Sequence, residues 1–344
     1  MRASGRFEEA VAWAEAIKES GWSPDDLAQI RFQLALAYVQ LGNTVRGAEV
    51  LAEARAHFEA TNDESMLAET MAAEASLAVL GQKHDAVEVA ARALAACRDL
   101  NPIPRELEVK ALGCLAAANL NAGRWEKTID ACEEAIERAG ALFDMSRQAK
   151  LFSDAAIAHK ELGQLDKAAH CARRSVALLE VLRDKVSLAR SENNLGLIVM
   201  ARGDMKAARK HLNRSLELCA ETHLEVGRTH VLQSLCELCF SEGNFEEARE
   251  FGEQALAYAE RLAERESAAN AHVWLGRVAA AQGDERGSDA EFELAISQLA
   301  RLESPEWLLR CHEIYADALE KRGELERAYR HLKIAVEYGD RRRS

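Results

Sequence analysis

Residues 195–215 read LGLIVMARGDMKAARKHLNRS: a Leu195-Gly196 pair, Gly203 seven residues after the pair's glycine, Ala208 five beyond that and Ser215 seven further. The fragment recurs along the chain. Gly5, Gly42, Gly81, Gly123, Gly163, Gly203, Gly243, Gly283 and Gly323 are separated by 37, 39, 42 and then, throughout, 40 residues. Five positions after each stands a small residue: Ala10, Gly47, Ala86, Thr128, Ala168, Ala208, Ala248, Ser288 or Ala328. Twelve positions after each stands Ala54, Ala93, Ala135, Ser175, Ser215, Ala255, Ala295 or Ala335, with Ile17 the exception. Glycine adopts the left-handed conformation that ends one helix and reverses the chain. Small residues seven apart share one face of the following helix and let its neighbour approach closely. Each unit therefore reads as a helix A, a tight turn at the glycine, and a helix B. One such hairpin cannot bury its apolar stripe alone, so hairpins stack.

Composition agrees with an all-α chain. Of 344 residues, 48% are apolar and 29% charged, but aromatics make up only 6% and there are 4 prolines, too few for sandwiches or barrels. All four prolines lie between units: Pro24 in Ser23-Pro24-Asp25-Asp26, Pro102 and Pro104 at the 42-residue interval, and Pro305 after Ser304. Ser-Pro-acid is a helix-start signal. No linker or compositional break divides the sequence. It reads as one elongated domain: a half unit at 1–21, eight hairpins over 22–338 and a polar tail at 339–344.

The net charge of −13 opposes nucleic-acid binding. No apolar run suits a membrane span, and the N-terminus lacks an apolar signal core. Eight cysteines dispersed through Ala/Leu-rich runs suit a reducing cytoplasm. No phosphate-cradling, dinucleotide, metalloprotease or nucleophile-elbow motif is present, so no catalytic residue and no cofactor is expected. Cys236 and Cys239 have the i, i+3 spacing of two metal ligands, but both occupy helix-packing positions, which makes a metal- or thiol-dependent enzyme the minor reading. His159 and Asn119, each four before a turn glycine, are expected in a helix seam with hydrogen-bond partners.

One position yields a ladder. Thirteen residues before successive turn glycines stand Lys110, Lys150, Arg190, His230, Asn270 and Arg310. Nearby on the same helices lie Ser153, Asp154, Asn193, Asn194, Gln233, Ser234 and Trp274, then Glu237, Arg277 and Asp317. Cationic heads pair with carboxylates and amides with peptide backbone. Toward the N-terminus the strip turns apolar, with Ala68, Phe32, Leu36, Met71 and Ala75.

The Leu-Gly pair, the turn glycine and the two small residues resemble the tetratricopeptide repeat (TPR) family, as do Leu275-Gly276, Gly283, Ser288 and Ala295. The 40-residue period is similar to the long repeats in sensor arms of bacterial helix-turn-helix regulators. The resemblance implies a right-handed α-solenoid of antiparallel hairpins with helix A lining the concave surface. It further implies a non-enzymatic scaffold that binds an extended peptide or protein there, through the ladder and its neighbours. A general adaptor for multiprotein assembly is the alternative. The last helix B ends on Leu332, Ile334, Ala335 and Val336 with no further helix after it, so an apolar edge near 325–337 is expected to mediate dimerisation.

Overall fold

A computed structural model describes residues 7–9, 11–12, 21–302 and 305–343. Gly5, Ala10, Trp13 and Ile17 of the expected half unit, and Ser304, lie outside them. Among the described residues there is no strand. Contacts group the chain into two compact units, Met1–Leu182 and Arg183–Ser344. In the first, hairpins pair α1 (Pro24–Gln40) with α2 (Thr44–Thr61), α3 (Glu64–Leu80) with α4 (Ala86–Asp99), α5 (Arg105–Asn121) with α6 (Trp125–Ala141), and α7 (Met145–Glu161) with α8 (Leu165–Leu182). In the second, α9 (Lys185–Ala201) pairs with α10 (Met205–Thr222), α11 (Glu225–Ser241) with α12 (Phe245–Arg261), α13 (Arg265–Ala281) with α14 (Glu285–Arg301), and α15 (Pro305–Lys321) with α16 (Leu325–Arg343). The last helix runs through residues 339–343, which the sequence assigns to a polar tail.

Turn geometry explains the period. Seven turn glycines between helix A and helix B take φ between +67° and +87°. Gly81 departs from the pattern: it has φ −80° and ends α3, and Gln82 takes the left-handed place at +48°. Five return turns from helix B to the next helix A are also left-handed, but at non-glycine residues: Asn62, Phe143, Arg183, His223 and Ala263, all near +51° to +56°, whereas the connection after Asp99 leaves its helix through an extended Leu100. Phe143, His223 and Ala263 follow Gly123, Gly203 and Gly243 by 20 residues, so the repeat consists of two half-periods, each a 17- or 18-residue helix and its turn. Caps sit at both kinds of turn. Asp144, Asp204 and Asp284 each accept from the backbone N–H three residues on, at 2.9 Å. Ser23 and Asp26 form the capping box that Ser-Pro-acid announces.

The small residues do what their spacing implies. Thr128, Ala168, Ala208, Ala248 and Ser288 are wholly buried, as are Ala54, Ala93, Ala135, Ser175, Ser215, Ala255 and Ala295. The Leu-Gly pair has a steric cause. A Cβ on Gly196 would stand 2.8 Å from Leu212 Cδ2, and one on Gly276 3.0 Å from the Phe292 ring. Helix B lies too close to helix A there for any side chain.

Packing also separates the two helix types. Within the first unit α1 touches α3, α3 touches α5 and α5 touches α7; within the second the chain of contacts runs α9, α11, α13, α15. Among the described residues no helix B touches the B helix of the next hairpin. The A helices thus sit nearer one another and line the inner surface of each unit.

Candidate functional site

The first unit holds a trough of about 470 Å³ floored by A helices alone, with residues from α1, α3, α5 and α7. Lys110, Lys150 and Asp154 all line it, joined by Arg147, Ser76 and Cys114. Burial pushes the Lys110 ammonium below its ordinary value. Lys150 reaches solvent. Asp154 is the unusual member: its Oδ2 is enclosed with no hydrogen-bond partner. Desolvation raises its carboxyl to about 6, against the pull of Lys150. Arg147 comes from the first turn of α7, three residues before Lys150 on the same helical face. The ladder spacing misses it because it stands sixteen, not thirteen, before the glycine.

In the second unit a smaller pocket, about 280 Å³, gathers Arg190, Asn193 and Asn194 from α9 and His230 from α11 over a floor that includes Ser215 and Gly227. Arg190 and His230 are exposed. Asn193 Oδ1 is enclosed and unpartnered, as Asp154 Oδ2 is in the first unit. Glycine at 227 is required here, since a Cβ would meet Leu224 Cδ2 at 2.6 Å.

The remaining predicted residues, Arg310 apart, are held by the protein itself. Gln233 is buried, donates to the Ser267 carbonyl at 2.7 Å, and accepts from Asn270 Nδ2 at 3.1 Å. These two amides tie α11 to α13. Trp274 is partly covered: the Arg277 guanidinium lies 4.2 Å from its centroid and 4.6 Å from that of Phe240. Burial lowers the Arg277 pKa, with Glu237 and Asp317 opposing. Arg310 is exposed beside Trp307. At the N-terminal end, Phe32, Ala68 and Ala75 belong to the core.

Comparison with known proteins places this geometry. Residues 187–261, which span α9–α12, match the tetratricopeptide repeat profile. No curated protein matches the chain. Among solved structures it is similar to the apo quorum sensor NprR from B. thuringiensis, at 14% identity and a TM-score of 0.73 over 96% of this chain and 92% of that one. A Rap protein complexed with competence and sporulation factor gives 12% and 0.69, covering 92% and 99%. A plasmid Rap conjugation regulator in complex with the Phr* peptide gives 12% and 0.69, covering 99% and 94%. The fold is a TPR-like α-solenoid.

The candidate thiols and seam residues are buried among the helices. Cys236 and Cys239 are fully buried, and desolvation raises both to about 12. Cys239 also lies 3.4 Å from Arg209 Nη2. Among the described residues no group of three or more His, Cys, Asp or Glu side chains has metal-binding geometry. His159 finds Gln164 Oε1 at 2.8 Å from its Nδ1. Asn119 is half satisfied: Nδ2 donates to the Leu115 carbonyl, whereas Oδ1 has no partner. No helix among the described residues is long and apolar enough to cross a membrane.

Proposed function

We propose that the chain is a non-enzymatic scaffold whose A-helix surfaces bind an extended peptide bearing carboxylates, and that it is the ligand-sensing arm of a regulator. One observation carries the reading: each unit has a cavity on its A helices lined by cations, with Lys110, Arg147 and Lys150 in the first and Arg190 with His230 beside Asn193 and Asn194 in the second. A peptide's acidic side chains or terminal carboxylate meet Lys110, Arg147, Lys150 and Arg190. The basic strip on a chain of net charge −13 selects acidic ligands and repels basic ones. One similar Rap structure is a complex with the Phr* peptide, another a complex with competence and sporulation factor, and NprR is a quorum sensor, which supports the same use of the fold.

The test is an array of short synthetic peptides, each with a free carboxylate and with a terminal amide, probed with the whole chain. The expected result is retention of acidic, extended peptides by the native protein and loss of about tenfold or more in affinity with Lys150→Glu or Arg190→Glu. Identical retention by native and variant proteins overturns the reading.

A further inference from the structure

The last helix carries a feature that peptide binding leaves unused. Along α16, Leu325, Tyr329, Leu332 and Val336 are 64%, 69%, 44% and 62% exposed. Their spacings of four, three and four residues make one straight apolar stripe, the pattern of a helix-pairing seam. Elsewhere on the same helix Ala328 and Ala335 are buried against the hairpin's own core. The stripe is therefore a second apolar face, turned outward. On its open flank lie Glu326 and Lys333, one residue after Leu325 and Leu332, and both are exposed. Among the described residues Glu326 pairs with Arg330 of its own helix, at 2.5 Å.

We propose that this face binds the same face of a second copy of the chain, with the two α16 helices antiparallel about a two-fold axis. The stripe is its own complement in that direction. Leu325 meets the partner's Val336, and Tyr329 meets the partner's Leu332. The two open flanks come together, so Glu326 lies against the partner's Lys333, and symmetry supplies the pair twice. A parallel pairing sets each open flank against the side that holds Ala328 and Ala335, which the hairpin already covers, and forms neither ion pair. The self-complementary order of acid and base along the flank argues for a copy of this chain as the occupant.

Light scattering and sedimentation of the full chain from low to high micromolar concentration read the proposal. A mass that rises from monomer to dimer is expected, as is its loss in Leu332→Glu, with circular dichroism confirming retained helix. Glu326→Lys or Lys333→Glu alone should weaken the dimer about tenfold, and the double swap should restore it to within about threefold. Orientation is read by mixing Leu325→Cys with Val336→Cys protein under oxidation. The antiparallel seam cross-links the mixture above the native thiol background and neither variant alone. A monomer at every concentration overturns the proposal and indicates another segment or protein on this face. A dimer indifferent to both the Leu332 change and the charge swap overturns it as well.

Discussion

The two units answer the same structural question with opposite proton chemistry. Eleven residues before and eight after the turn glycine, helix A and helix B face each other inside a hairpin. In the first unit those places hold Arg31 and Val50, Thr70 and Val89, Leu112 and Ala131, Phe152 and Cys171. In the second they hold Glu192 and His211, 2.6 Å apart, Leu232 and Phe251, His272 and Glu291 at 2.6 Å, and His312 and His331 at 2.8 Å between Nδ1 atoms. Where the first unit buries a carboxylate, Glu108, it brackets it with Arg98 at 3.0 Å and Arg138 at 3.1 Å. Arginine stays charged at any ordinary pH, whereas histidine does not. In the second unit the His312–His331 contact has no such fixed charge between its two rings.

The signs follow from linkage. His312 is lowered from 6.5 to about 4, by burial first and by His331 second. His331 is lowered too, by burial and Arg327, with Asp289 and Glu293 opposing. The unfolded chain then binds more protons below pH 6.5, so the second unit loses stability as pH falls from there toward 4. Asp154 in the first unit is raised from 3.8 to about 6. There the folded state binds more protons, so acidification across the same window stabilises it.

Four experiments break or sharpen this contrast. The largest effect is expected from Phe292→Ala. That ring is fully buried and stacked 4.5 Å from Tyr315, on which His331 rests at 4.5 Å between centroids. Its loss should cost about 3–5 kcal/mol in urea unfolding and disorder the histidine pair. Next, lowering pH from 7.5 to 4.5 should destabilise the second unit by about 2–3 kcal/mol through His312, read as a fall in amide protection factors across α9–α16. Leu at both 312 and 331 should remove most of that response. Third, the same acidification should raise amide protection around α7 by about 2 kcal/mol, and Asp154→Asn should abolish the gain. An unchanged acid response in the Asn variant would exclude Asp154 as its source. The smallest effect belongs to the return turns: Ala263→Gly, at φ +56°, should stabilise by about 0.5–1 kcal/mol in thermal unfolding, whereas Gly283→Ala, at φ +79°, should destabilise.

The candidate site was legible in part, for identifiable reasons. A ladder read at one spacing, with its neighbours a turn along the same helices, placed Lys110, Lys150 and Asp154 in one trough and Arg190, Asn193, Asn194 and His230 in one pocket, because the 40-residue period repeats the helical phase. It did not reveal that Gln233 and Asn270 satisfy each other, or that Arg277 partly covers Trp274. Those outcomes depend on which side chain from a neighbouring helix arrives within reach. Arg147 escaped because a residue in another helical turn can share a face without sharing a spacing.

The order of residues alone determined the helices, their hairpin pairing and the buried faces, since turn glycines and small residues act within a few positions of themselves or on the next helix. The half-period was less visible, because Phe143, His223 and Ala263 adopt the left-handed conformation under the constraint of packing rather than by preference. Only the tertiary structure decided which polar atoms keep a partner, which histidines lose their protons to burial, and which face of α16 stays open. Each of these is a property of distance between groups remote in sequence, and desolvation has no magnitude until the surrounding helices are in place.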